Sequence, residues 1–133
     1  MPAHRFEYAV VRVVPRVERE EFINAGVILY CRSLDFLAAR IALDRGRLQS
    51  LFPAAAADLE VIEGALSMIP RLCAGDPTAG PIAALDLAER FRWLSATRST
   101  VTQVSPVHTG LCDAPDRMLD HLMATVVETA AAG

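Results

Sequence analysis

The sequence predicts an α+β fold, a mainly antiparallel four-stranded sheet with helices packed on one face, in a single domain over residues 1–133. Two observations carry this. β-Branched and aromatic runs are bunched in the first third of the chain, while later apolar residues recur at helical spacing, the segregated order of α+β proteins. The second and third of these runs are joined only by the short polar segment Arg32-Ser33-Leu34-Asp35, which makes them an antiparallel hairpin. A chain of 133 residues fits one domain and buries roughly two-thirds of its unfolded surface, enough to fold without disulfides or metals.

Residues 5–14 are rich in Val and aromatics, and Pro15 stops them: a strand covered on both faces at its centre. Residues 16–24 read as a charged connection holding a single helical turn. Residues 25–31 and 36–43 are the hairpin strands. Asp44 stands where an N-cap belongs, ahead of a short helix carrying Leu48, Leu51 and Phe52. The next helix starts near Pro53, an acceptable first-turn proline, and runs to about Leu72. Its stripe of Leu59, Ile62, Leu66 and Ile69 lies beside a second of Val61, Ala65, Met68 and Leu72, so most of its girth is expected to be buried. Pro70 should kink or end it. Residues 74–81 are a breaker-rich loop. A third helix spans 82–97 with Leu87, Phe91 and Leu94 inward, residues 101–104 give a fourth strand, and 105–112 a loop. The last helix covers 114–129, with Asp113 as N-cap, Pro115 and Asp116 in its first turn, and Met118, Leu119, Leu122, Met123 and Val126 as its apolar face.

Composition narrows the function classes. Apolar residues make up 53% and charged residues 22% of the chain, which is globular, and no apolar run approaches the roughly 18 residues of a membrane span. The first residues lead straight into a strand pattern with no small-residue cleavage site, so no signal peptide is expected. Cys31, Cys73 and Cys112 form an odd set without a C-x-x-C pair, which reads as free thiols in a reducing cytoplasm. All thirteen basic side chains are Arg, consistent with GC-biased bacterial codon usage. Net charge is −3; residues 1–47 hold eight Arg against six acids, and residues 48–133 five against ten. Nucleic-acid binding normally needs a stronger and more clustered basic excess, and is not expected.

Five candidate sites follow from the residues. His108, Cys112, Asp113, Asp116, Asp120 and His121 carry ligand chemistry for Zn²⁺ or Fe²⁺, but Pro106 and Gly110 break the segment and no second ligand pair follows at a recognised spacing, so no metal is expected. Cys112 with His108 as base would make a nucleophile, against which stands the commoner role of Cys as a small buried hydrophobe. The loop from Gly75 to Gly80 lacks the G-K-[ST] ending of a phosphate cradle, and no cofactor is expected. Arg12, Arg16, Arg19, Glu20, Glu21 and Asn24 surround the junction of the first two strands, where Asn24-Ala25-Gly26 can take left-handed turn conformations. Arg12, Glu21, Asn24 and Gly26 are therefore the candidate polar site, either a turn satisfied by its own side chains or a notch that grips a carboxylate, phosphate or partner acid. Trp93 falls on the arc of Asp86, Arg90 and Thr97, away from the inner stripe, and Arg90 with Trp93 forms the candidate interface.

These residues also carry a resemblance. Tyr8-x-x-x-Arg12-x-Val14-Pro15, then Glu21-Phe22-Ile23-Asn24-Ala25-Gly26-Val27-Ile28-Leu29, resembles the opening of the bacterial domain of unknown function 3037 family. Gln103-Val104-Ser105-Pro106, Gly110-Leu111, Asp113-x-Pro115 and Leu119-x-x-Leu122 are similar to its closing strand, loop and helix. The resemblance implies a small bacterial cytosolic protein with no assigned catalytic residues, associated with a HipA-like kinase. The expectation is a non-catalytic interaction or regulatory module, partnering such a kinase or a second copy of itself. The alternative is an enzyme or nucleic-acid-processing factor built on Arg12, Glu21 and Asn24.

Overall fold

The computed structural model describes residues 3–16, 21–96 and 101–128. Arg19 and Glu20 of the expected notch, Thr97 beside Trp93 and the expected helix end at 129 lie outside the described residues. The architecture is α+β as expected, around an antiparallel sheet of β1 (His4–Arg16), β2 (Glu21–Cys31), β3 (Phe36–Ile41), β4 (Thr102–Val104) and β5 (His108–Cys112). β1 is central. β2 pairs along one of its edges and carries β3 beyond it, while β4 and β5 share the other edge, β4 at Val11–Val13 and β5 at His4–Tyr8.

The fifth strand corrects the expected four. Residues 105–112 read as loop because Pro106 and Gly110 break the segment. Pairing to β1 overrides that, and Gly110 has a steric reason: a Cβ there would lie 2.7 Å from the Phe6 ring that packs across it. Between β4 and β5, Ser105 is buried and repairs the gap in the ladder. Its N–H donates to the Val10 carbonyl and its Oγ accepts from the Val10 N–H, each at 2.8 Å. A buried backbone amide left without a partner would cost about 1–3 kcal/mol, so this one hydroxyl completes the central strand where proline follows.

The helices are α1 (Arg45–Leu51), α2 (Leu59–Cys73), α3 (Leu87–Leu94) and α4 (Pro115–Leu122), the last extended by one π turn over Met123–Val127. Asp44 caps α1 as expected, accepting from the Arg47 N–H. Asp86 does the same for α3 from the Glu89 N–H. Two expected helices are shorter at their N-terminal ends. Residues Pro53–Asp58 and Pro81–Ala84 form 3₁₀ turns, and Pro70 is accommodated in the last turn of α2. Ala114 rather than Asp113 precedes α4, and no side chain caps that helix.

The helices do not all pack on one face, which is the second correction. Ile28 and Tyr30 of β2 point to the core formed with Leu48, Ile62, Leu66, Phe91 and Leu94 from α1, α2 and α3. Val27, Leu29 and Cys31 point to a second core with Leu119, Leu122, Met123 and Val127 from α4 and its π turn. The uninterrupted burial of residues 25–31 is the signature of a strand covered on both sides.

β2 begins four residues earlier than expected, and Asn24-Ala25-Gly26 is a bulge within it, not a turn. Val11 pairs with Gly26 and Arg12 with Asn24, leaving Ala25 as the extra residue. Gly26 has ordinary extended backbone and is required by close approach instead. A Cβ on it would lie 2.5 Å from the Arg40 carbonyl oxygen and 2.6 Å from Ile41 Cδ1. Gly26→Val is expected to destabilise the fold by about 1–3 kcal/mol, towards the upper end because the obstructing atom is backbone. Urea unfolding measures this, with unchanged stability as the contrary result.

Candidate functional site

The bulge and a second register shift between Val13 and Arg16 divide the expected polar site between the two faces of the sheet. Arg16 and Glu21 pair at the strand ends and line a cleft of about 440 Å³ on the α1–α2 side. Its apolar walls come from Pro15, Leu51, Phe52, Pro53, Ile62 and Val101, with Asp58 adding a carboxylate to the charged rim. Leu51 is 56% and Val101 38% exposed.

Arg12 and Asn24 are cross-strand neighbours on the opposite face, the face of α4. Arg12 also pairs in register with Gln103 of β4, so Asn24, Arg12 and Gln103 form one polar row across three strands. Asn24 Nδ2 donates to the Val126 carbonyl at 3.1 Å, fastening the π turn to the sheet. The Arg12 guanidinium lies 4.1 Å from the centroid of the Phe22 ring, a cation–π contact worth about 0.5–1 kcal/mol at a partly exposed site. Arg12 Nε and Asn24 Oδ1 are both shut off from water and have no hydrogen-bond partner among the described residues. Arg12, Glu21 and Asn24 therefore do not converge, because the sheet lies between the acid and the other two.

The candidate interface also separates into two roles. Trp93 is 40% exposed on α3. Arg90 is turned inward, donating from Nε to the Leu85 carbonyl at 2.8 Å and from Nη1 to the Cys73 carbonyl at 2.8 Å and the Leu72 carbonyl at 3.3 Å. It satisfies carbonyls at the end of α2, which a helix terminus otherwise leaves open. Sequence reasoning placed both residues on one arc and had no signal for this difference.

The ligand-type residues near the C-terminus are equally dispersed. His108 and Cys112 are four residues apart on β5, about 13 Å by strand rise, too far for a thiol–base pair. His108 rests against the Tyr8 ring at 5.2 Å between centroids, and Cys112 is buried with its thiol pushed up by that burial first and by Cys31 second. Asp120 pairs with Arg40. Among the described residues no three His, Cys, Asp or Glu side chains are grouped to hold a metal ion.

Strongly shifted acids and thiols lie away from both the cleft and the polar row. Burial pushes the Cys73 thiol up to about 12, with Arg90 opposing. Asp76 is lowered to about 2 by the Thr78 hydroxyl, by Arg71 and by the Thr78 N–H, an arrangement that holds the turn after α2.

The model of the protein of unknown function (DUF3037) family matches residues 8–127, from the middle of β1 to the end of the π turn. The chain belongs to the DUF3037 family. No curated protein and no solved structure matches it. Arg12, Asn24, Gly26, Gln103 and Ser105, on which the resemblance in the sequence rests, occupy the polar row, the bulge and the β4–β5 junction. No described helix is long and apolar enough to cross a membrane.

Asn24 has a structural task in this arrangement. Asn24→Ala should cost about 1 kcal/mol through the lost bond to Val126 and should speed amide hydrogen exchange in residues 123–127. Exchange that is unchanged there would remove the proposed fastening of the π turn.

Proposed function

We propose that this DUF3037 chain is a non-catalytic interaction module that receives a partner segment in the cleft at the end of β1 and β2. The single observation supporting this is the cleft itself, where Pro15, Leu51, Phe52, Pro53, Ile62 and Val101 offer apolar surface within a rim of Arg16, Glu21 and Asp58. Apolar centre and polar rim are the anatomy of a protein interface. Leu51 at 56% exposure leaves much of its apolar surface in water, and covering it provides a driving force of about 25 cal/mol per Å².

A HipA-like kinase is the first partner to test, on the strength of the family resemblance, and a second copy of the chain is the other. A bacterial cytoplasmic setting belongs to the same proposal, supported by three buried, unlinked cysteines. The enzyme or nucleic-acid-processing reading has less support. It needs Arg12, Glu21 and Asn24 in one concavity, and Glu21 lines the cleft while Arg12 and Asn24 face the other side.

The double variant Leu51→Glu with Val101→Glu should keep its circular dichroism spectrum and bind the purified kinase at least about tenfold more weakly by calorimetry. Undiminished affinity would exclude the cleft, and no binding by the unaltered chain would exclude the kinase. Trp93, the single tryptophan, supplies an independent report. Its emission in dilute protein should be quenched by acrylamide and should shift to the blue on raising concentration or adding kinase if α3 joins the interface. Emission that stays constant under both conditions places the interface away from α3.

A further inference from the structure

We propose that Arg12 is the anchor for a carboxylate side chain presented by a partner protein, on the face of the sheet opposite the cleft. The guanidinium has no carboxylate in hydrogen-bond or ion-pair contact among the described residues, and its Nε is sealed from water without a hydrogen bond. Among the described residues it has exchanged part of its hydration for an aromatic ring and no carboxylate, which leaves the cation short of negative charge. What would complete it is an acceptor carrying formal charge, and the outer edge of the guanidinium is the part able to meet one.

The surroundings decide the source of that acid. Arg12 lines neither the 440 Å³ cleft nor the hollow of about 230 Å³ beside Asn24, so the site is too shallow to enclose a small free acid. Phe22 stands beside it with 44% of its surface exposed, an apolar platform for the residues flanking a partner's carboxylate. An Arg against an exposed aromatic ring is also the composition of an interface hot spot. Phosphate on a nucleic acid is the weaker match. A polyanion gains affinity from several cations acting together, whereas this row contributes one, flanked by Asn24 and Gln103 in a chain of net charge −3.

The sealed Nε provides the readout, because its proton is protected from exchange with water and visible by nitrogen-15 NMR. The probe is a capped pentapeptide with two glutamates around a leucine, titrated into the labelled full chain. The Arg12 Nε–H resonance and the Phe22 ring should shift saturably, with affinity falling several-fold when salt is raised from about 50 to 500 mM. The glutamine version of the peptide should bind at least about tenfold more weakly. Arg12→Gln should abolish the response and Arg12→Lys retain part of it. Should Arg12→Gln unfold, Phe22→Ala, which alters an exposed side chain, should still lower the affinity several-fold. No shift up to about 1 mM peptide, or equal shifts with the glutamine version, overturns the proposal. A stronger response to a short oligothymidylate also overturns it and assigns the site to nucleic acid. Because the cleft lies across the sheet, the Leu51 and Val101 variants leave this experiment unaffected, so the two readings fail separately.

Discussion

The backbone of β1 has to be satisfied along both edges, because the strand lies in the middle of the sheet between two cores. One edge meets β2 from Glu7 to Arg16, with two register shifts. The other is served by two short strands, and the handover at Val10 depends on the buried Ser105, whose amide and hydroxyl supply what a continuous partner strand would have supplied. β1 is thereby fixed in position, and with it the residues that project from its two sides: Val11 and Val13 towards α1–α3, Phe6 and Tyr8 towards α4. The cleft and the polar row both inherit their positions from this strand.

The extra residue at Ala25 is what makes the two sides chemically different. Strand alternation carried unbroken through β2 would place Asn24 on the same side as Ile28 and Tyr30. The bulge reverses the phase, so Ile23 and Ala25 enter the larger core while Asn24 joins Arg12 on the other face. A single inserted residue thus gathers Asn24, Arg12 and Gln103 into one row. It also leaves Gly26 against the backbone of β3, where no side chain fits.

Much of the fold was legible because it rests on local rules. The run from Phe6 to Val14, the hairpin around residues 32–35, the Asp44 cap and the stripe of Ile62 and Leu66 all behave as their patterns indicate. What was not legible depends on distant partners. β5 is a strand only because β1 offers an open edge, and Arg90 turns inward only because the carbonyls of Leu72 and Cys73 end a helix eighteen and seventeen residues away. The second layer of helix did leave a trace, since residues 25–31 are apolar without alternation. For the candidate polar site, the residue types were readable but their sides were not, because a one-residue bulge has no composition of its own.

The bond from Asn24 to Val126 spans 102 positions of sequence, and the face it helps to close is covered by the last helix of the described chain. During synthesis the strands carrying Val27, Leu29 and Cys31 leave the ribosome long before Leu119 and Leu122 exist to cover them. Once Phe91 and Leu94 have joined the larger core, the nascent chain still carries a sheet with one bare apolar face, the kind of surface that chaperones bind and that misassociates when left alone. Any pause before residues 119–127 are made prolongs that exposure, because Leu119, Leu122, Met123 and Val127 cover the face only once α4 and its π turn exist.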